Sequence, residues 1–143
     1  MKYLFPIALI IAVTIFSCSG GKNVSLDKDP LLRIENPYWQ KIIPGQEDAP
    51  QSMILILPYS VELMNYYVDS VFFKGYHGEL VQSVINGQAV YRIHIMIEEN
   101  QTIIAPPFPI EENEALVSYI DLDKIRHYFK VGNIIMKEPL IMP

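Results

Sequence analysis

The segment Val84-Ile85-Asn86-Gly87-Gln88-Ala89 decides the fold of this chain. Asn-Gly between two β-rich runs is the preferred pair for a two-residue type I′ turn, because both central residues need a positive φ. The turn predicts a hairpin that pairs Ile85 with Gln88, Val84 with Ala89, Gln82 with Tyr91 and Leu80 with Ile93. The Val84, Tyr91 and Ile93 side chains lie on one face of this hairpin, which Ile95 and Ile97 continue. We expect this face to cover the core, because a register slip of one residue would turn these side chains to solvent. The opposite face then pairs Val81 with Arg92 and Glu79 with His94.

Short apolar, aromatic and β-branched runs around this hairpin predict further strands. Met53 to Leu57 ends at Pro58, Tyr66 to Lys74 ends at Gly75, and Ile134 to Met136 precedes Pro139. Leu116 to Asp121 and Ile125 to Val131 favour a second hairpin around Leu122-Asp123, with a helix capped by Asp121 as the alternative. Many short strands, and no long apolar stripe of helical period, predict an all-β fold: a small antiparallel β-sandwich or a partial barrel.

The connection between the two hairpins is rich in proline and acid. Ala105-Pro106-Pro107-Phe108-Pro109 predicts an extended, polyproline-like loop, because proline fixes φ and has no N–H to donate. Glu111 to Glu114 is interpreted as an acidic turn. We expect no regular strand or helix across this connection.

The N-terminus has the pattern of an export signal. Lys2 precedes an apolar run from Leu4 to Phe16 that is too short to cross a hydrocarbon core of ~30 Å as a helix. The following Ile15-Phe16-Ser17-Cys18 resembles the lipobox of bacterial lipoproteins. The resemblance implies cleavage before Cys18, a diacylglycerol on its sulfur and a further chain, such as palmitate, on its amine. An uncleaved anchor and a free thiol are the alternatives.

The chain therefore divides into three parts. Residues 1–17 are interpreted as a signal peptide, and residues 18–36 as the lipidated cysteine and a flexible tether rich in Gly, Ser, Asn and Asp. Residues 37–143 are the predicted β-rich domain, which begins at Pro37 because the only tryptophan, Trp39, is costly to leave in a linker.

Charge and cysteine content exclude several function classes. The formal net charge of −5 argues against nucleic acid, whose phosphates require a basic patch. Cys18 is the only cysteine, so its lipidation would leave no disulfide, no thiol nucleophile and no cysteine metal site.

Much of the mature chain resembles a family of small uncharacterised lipoproteins of Bacteroidetes-type bacteria. The resemblance rests on Tyr38-Trp39, Pro44-Gly45-Gln46-Glu47-Asp48, Val68 to Gly75, Glu112 to Tyr119 and Lys137 to Ile141. Ala49-Pro50-Gln51-Ser52 stands where the family usually has a glycine-rich stretch. The resemblance implies a lipid anchor and a β fold, and it implies no activity.

Residue patterns that carry chemistry are sparse. His77, His94 and His127 lack the spacing of a zinc site, and no serine-hydrolase or phosphate-binding motif is present. We expect His94 to meet Glu79 across the hairpin, His77 to lie in a turn, and His127 to be a hydrogen-bonded core residue. The sequence thus predicts no catalytic residue, no metal ligand and no cofactor.

An aromatic group is the other candidate for a binding site. Tyr66, Tyr67, Phe72 and Tyr76 are close together in the sequence, and aromatic faces on a β-sandwich can stack on a glycan or receive a peptide. The alternative, which the composition favours, is that these side chains fill the core.

These patterns predict a non-enzymatic, lipid-anchored interaction or structural module of the bacterial cell envelope. Its expected partners are the membrane, through the anchor, and an envelope protein or surface polymer. The outer membrane is favoured over the inner one, with the domain in the periplasm or at the cell surface. A glycan- or peptide-binding module is the alternative, and a small hydrolase is the least favoured hypothesis.

Overall fold

The computed structural model describes residues 24–30, 32–60 and 66–143. Cys18 and the predicted signal peptide lie outside these residues. The described residues form strands, turns and loops, and no α-helix is present among them. Accordingly, the described ranges contain no helix long and apolar enough to span a bilayer.

Twelve strands lie in the described part of the chain. In chain order they are β1 (Leu26–Asp27), β2 (Arg33–Ile34), β3 (Tyr38–Ile43), β4 (Ser52–Ser60), β5 (Tyr67–Phe73), β6 (Tyr76–Glu79), β7 (Val81–Ile85), β8 (Gln88–Met96), β9 (Ala115–Ile120), β10 (Arg126–Val131), β11 (Ile135–Met136) and β12 (Leu140–Ile141).

The strands form two sheets that pack against each other, which confirms the predicted small β-sandwich. The first sheet has the order β1-β10-β9-β5-β6. The second has the order β11-β3-β4-β8-β7, with β12 on β3 and β2 on β4. The long ladders are antiparallel as predicted, but β1, β11 and β12 pair in parallel, so both sheets are mixed. Each of these strands is only two residues long and far in sequence from its partner, so no local pattern announces it.

One apolar core lies between the sheets. Phe73, Leu55 and Val117 are fully buried in it, and Trp39 packs edge-on against Phe73 with ring centroids 6.2 Å apart. Burying each such side chain contributes about 1.5–3 kcal/mol of stability.

The Asn86-Gly87 hairpin has the predicted register from Val81–Arg92 to Ile85–Gln88. Both turn residues have positive φ, 49° and 80°, as a type I′ turn requires. The predicted core face is buried at Tyr91, Ile93 and Ile95, whereas Val84, near the turn, is exposed.

The ladder of this hairpin stops two pairs earlier than predicted, because the chain changes sheets at Leu80. The Leu80 N–H donates to the Asp69 carbonyl at 3.0 Å, and Glu79 pairs with Ser70 in the first sheet. The expected cross-strand pairing of Glu79 with His94 is therefore wrong. His94 instead bonds through Nε2 to the Ser52 hydroxyl, 2.8 Å away.

The second predicted hairpin is confirmed by the β9–β10 ladder, which runs from Arg126–Ile120 to Val131–Ala115. The Asp121 carboxylate accepts the backbone N–H groups of Asp123 and Ile125, each at 2.9 Å. Asp121 thus organises a turn and does not cap a helix, because the chain reverses within four residues and Lys124 takes a φ of 60°.

Strands β1 and β2 lie inside the segment predicted to be a flexible tether. β1 pairs with β10, and the Tyr119 hydroxyl donates to the Asp27 carboxylate at 2.8 Å. β1 and β2 therefore contribute to the sandwich, and the contacts of the domain begin before Pro37. Two-residue strands are too short to show an apolar period, which is why the sequence did not reveal them.

The sandwich has two distinct ends. The N-terminal end carries the start of β1, the Asn86-Gly87 turn and the β9–β10 turn. The C-terminal end carries the Lys74-Gly75 turn, the segment 97–114 and β12. This division follows from the strand directions, since β6 and β7 run from the Lys74-Gly75 turn to the Asn86-Gly87 turn.

Candidate functional site

A concavity of about 840 Å³ lies at the C-terminal end, between the β5–β6 turn and the segment 97–114. We call it the proline-loop pocket. Its volume falls in the range of sites that hold a small ligand or a few side chains of a peptide. Its lining is mostly apolar: Phe72, Ile103, Ile104, Pro106, Pro107, Pro109 and Ile110 form the walls, and Lys74, Glu111 and Glu112 add charge.

The first wall depends on the Lys74-Gly75 turn. Lys74 and Gly75 have φ values of 48° and 81°, which makes this a second type I′ turn, and Gly75 supplies the conformation without strain. A Cβ on Gly75 would lie 3.1 Å from Ile103 Cγ2, and the Ile104 N–H donates to the Gly75 carbonyl at 3.1 Å. Gly75 thus lets the segment 97–114 dock on the hairpin.

An aromatic contact attaches the segment 97–114 to the sandwich at a second point. Phe108 packs edge-on against Tyr128 of β10, with ring centroids 5.8 Å apart. Pro106 and Pro107 restrict the backbone between the two attachment points, and Pro109 restricts it just after Phe108. These restraints favour a preformed pocket, and a preformed pocket lowers the entropy cost of binding.

The mouth of the pocket is acidic. The Lys74 ammonium lies 4.9 Å from the Trp39 ring centroid, donates to the Glu112 carbonyl at 3.5 Å, and is 3.9 Å from the Glu112 carboxylate. A cation–π interaction and an ion pair thus fix the position of the Lys74 ammonium. Glu111 and Glu112 are both exposed at the rim, so the carboxylates outnumber the ammonium there.

The four aromatic residues predicted to form a binding surface do not come together. Phe72 lines the proline-loop pocket, and Tyr76 packs against the core from the next strand. Tyr66 and Tyr67 lie at the other end of β5, about 16 Å away at the rise of a strand. Tyr67 is 67% exposed and Tyr66 packs on Tyr119, so the four residues belong to different surfaces.

Two of the three histidines share a smaller concavity of about 370 Å³ with Glu79 and Glu98. His77 lies in β6, so the expectation of a turn there is wrong by two residues; the turn is Lys74-Gly75. Its Nε2 bonds to the Ser70 hydroxyl at 3.1 Å, while its ring stacks on Phe72. Within the described ranges, no group of three or more His, Cys, Asp or Glu side chains could hold a metal ion.

The Ser70 hydroxyl belongs to a buried polar row. It lies 2.7 Å from the Ser118 hydroxyl, which also reaches the Asp69 carboxylate at 3.4 Å. Asp69 pairs with Arg126 at 2.9 Å. The distance from His77 to Ser70 suits an activated nucleophile, but Ser70 and Ser118 are only 6% and 1% exposed. Here the row satisfies hydroxyl groups that would otherwise be buried without partners.

The shifted pKa values lie mainly at the N-terminal end. Burial, and then the hydrogen bond to the Asp27 carboxylate, raises the pKa of Tyr119. The hydrogen bond from His127, 2.7 Å away, lowers the pKa of Asp121, helped by the N–H groups of Ile125 and Asp123. His127 is hydrogen-bonded as predicted, but it is half-buried and stacks on Tyr119, so it is not the fully buried core residue that was expected. These contacts fasten β1 and the β9–β10 turn to the sandwich.

Comparison with protein-family models, curated proteins and solved structures found no match to this chain. The resemblance to small lipoproteins of Bacteroidetes-type bacteria therefore stays a prediction.

The sequence did not indicate the proline-loop pocket. The proline run predicted an extended loop, but nothing local said that this loop would dock on the β5–β6 turn. Gly75 was the available signal, since a glycine after an aromatic strand is compatible with both a turn and a close backbone approach.

Proposed function

We propose that this chain is a non-enzymatic binding module, held to a bacterial envelope membrane by lipid on Cys18, that binds its partner in the proline-loop pocket. The anchor is supported by the lipobox resemblance of Ile15-Phe16-Ser17-Cys18 and by the short apolar run before it. The observation that carries the binding role is a concavity of about 840 Å³ whose walls are fixed by a turn, three prolines and an aromatic contact.

The chemistry of the pocket favours a peptide ligand. Isoleucine and proline walls suit apolar side chains, and the Glu111 and Glu112 carboxylates at the rim suit a neighbouring lysine or arginine. We therefore expect an extended segment of an envelope protein, with one or two apolar residues beside a basic one. A glycan is the alternative ligand, but Phe72, the aromatic residue of the pocket, is only 9% exposed and offers little of its face for stacking.

The direct test is a binding titration with the full lipidated chain in detergent micelles. A panel of extended peptides and soluble peptidoglycan fragments would be titrated while the fluorescence of Trp39 is followed. Trp39 is the only tryptophan, and it lies under Lys74 beside the pocket. We expect saturable binding of apolar-basic peptides and no response to the glycan fragments.

Two matched variants locate the binding surface. Ile103 is 80% exposed in the pocket, and Val84 is 69% exposed at the opposite end, so Ile103→Asp and Val84→Asp should fold equally well. Losing the apolar contact costs ~1.5–3 kcal/mol, so Ile103→Asp should weaken binding about 10- to 100-fold. Val84→Asp should bind like the wild type, and equal losses in both variants would refute the assignment.

Hydrolysis is the second candidate function, favoured by the concavity that His77 and His94 share with Glu79 and Glu98. A screen of ester, peptide and glycoside substrates against wild type, His77→Gln and His94→Gln tests it. Turnover that both variants lose would support a hydrolase. Turnover that persists in both variants would point to a contaminant.

A further inference from the structure

We propose that the N-terminal end of the sandwich lies directly on the bilayer surface, with Leu122, Ile125 and Tyr67 in contact with lipid. This rests on the proposed lipid anchor and adds a second, non-covalent membrane contact to it. The contact would set the orientation of the domain.

The length of the chain before Val24 limits how far this end can be from the bilayer. Val24 is only the sixth residue after Cys18, and six residues span at most about 20 Å when fully extended. β1 pairs with β10 in parallel, Leu26 opposite Tyr128, so the chain enters the sandwich beside the β9–β10 turn. The hydrogen bond between Tyr119 and Asp27 holds this entry point in place.

The side chains next to the entry point are apolar and exposed. Leu122 and Ile125, in the β9–β10 turn, are 78% and 52% exposed. Tyr67, 67% exposed, pairs with Ile120 at the base of that turn, and Val24 itself is 44% exposed. An exposed cluster of large apolar side chains on a small domain indicates a contact surface. Tyrosine is favoured at the membrane–water interface, because its ring is apolar and its hydroxyl is polar.

Charge contributes little to this contact. Asp121 is paired with His127, and Arg126 is paired with Asp69. The turn's other charged residues, Asp123 and Lys124, have opposite signs and are adjacent in the sequence. With no excess of positive charge, the surface suits the apolar part of the interface more than anionic headgroups, so the contact should be insensitive to salt.

The consequence is a fixed orientation. The proline-loop pocket lies at the opposite end of the strands from the β9–β10 turn. A domain that rests on its N-terminal end would therefore point the pocket away from the membrane.

Fluorescent labelling of two single-cysteine positions tests the contact. Leu122→Cys and Ile103→Cys, both at strongly exposed sites, would be made in the full lipidated chain. Each would be labelled with a thiol-reactive fluorophore, since lipid occupies the Cys18 thiol. The proteins would be placed in vesicles of phosphatidylethanolamine and phosphatidylglycerol, with and without nitroxide-labelled lipid. We expect several-fold stronger quenching at position 122 than at position 103, unchanged by added salt.

Three other outcomes would each overturn the proposal, for different reasons. Failure of the chains to float with the vesicles would refute the lipid anchor, and the contact with it. Flotation with equal quenching at both positions would refute the contact alone and leave the anchor standing. Quenching at position 122 that needs phosphatidylglycerol and disappears in salt would show a charge-driven association instead.

Discussion

The two ends of the sandwich begin from the same local structure and differ in what surrounds it. The Lys74-Gly75 and Asn86-Gly87 turns have nearly identical φ values, 48° and 81° against 49° and 80°. At Gly75 a Cβ would meet Ile103 at 3.1 Å, whereas at Gly87 none of the described residues lies within 4 Å. A concave site thus arises at the turn where a distant segment docks on the glycine.

The difference separates the two proposed tasks of the domain. The C-terminal end, with its docked segment 97–114, has the concave apolar surface that binding needs. The N-terminal end has a hydrogen bond that fastens the incoming chain and exposed apolar side chains around it. The residues that line the pocket are different from those that fasten β1, but Tyr128 links the two ends, because it pairs with Leu26 and also packs on Phe108.

The largest expected effect breaks the C-terminal turn. Gly87→Ala should lower the free energy of unfolding by about 1–2 kcal/mol, the cost of a Cβ at positive φ. Gly75→Ala should cost about 2–3 kcal/mol, because the same strain is joined by crowding of Ile103. Urea unfolding measures both. Hydrogen exchange at the Ile104 amide, which donates to the Gly75 carbonyl, should accelerate only in Gly75→Ala. Equal behaviour of the two variants would mean that the segment does not depend on the turn.

A smaller effect is expected at the N-terminal end. Tyr119→Phe removes a hydrogen bond to a carboxylate and should cost about 1.5 kcal/mol. Tyr91→Phe is the matched control, because the hydroxyl of Tyr91 bonds to the neutral side chains of Gln82, at 3.1 Å, and Tyr59, and a neutral bond is worth about 0.5–1 kcal/mol. Thermal unfolding gives the comparison, and exchange at the β1 amides should rise in Tyr119→Phe alone. Unchanged exchange there would show that β1 is held by its pairing and not by Tyr119.

The smallest effect is an acid dependence at the β9–β10 turn. The pKa of Asp121 lies below its ordinary value of 3.8. Its stabilising contribution is therefore complete above that value and disappears as the pH falls through the lowered pKa. Urea unfolding at a series of pH values below about 5 should show a shallower loss of stability in Asp121→Asn than in wild type. Asp123→Asn, in the same turn, is the control and should lose stability with falling pH as the wild type does. If Asp121→Asn also behaved as the wild type does, the stabilising role given to Asp121 would be contradicted.

Strands with a strong local pattern could be predicted from the sequence. Asn-Gly at 86–87 is the preferred type I′ pair, and alternation from Ile125 to Val131 identified β10. The Lys74-Gly75 turn was not recognised as a type I′ turn, because lysine is not a residue expected at positive φ. The change of sheet at Leu80 could not be predicted either, because the alternation of apolar and polar residues continues from β6 into β7 without a break.

The candidate site was harder to predict than the fold. Phe72 was among the four aromatic residues selected, yet it contributes to the pocket beside isoleucines and prolines and not beside the tyrosines. The pocket depends on contacts between residues far apart in sequence, such as Gly75 with Ile103 and Phe108 with Tyr128. No periodic pattern in the sequence indicates such long-range contacts, so the pocket that they form is recognised only in the three-dimensional structure.

We propose above that lipid on Cys18 holds this domain to a membrane by its N-terminal end. Metabolic labelling with radioactive palmitate in a bacterial host, for wild type, Cys18→Ala and the neighbouring control Ser19→Ala, tests it most directly. We expect label in the wild type and in Ser19→Ala, and none in Cys18→Ala, which should also leave the membrane fraction. Equal labelling of Cys18→Ala and wild type, or no label in either, would contradict the claim.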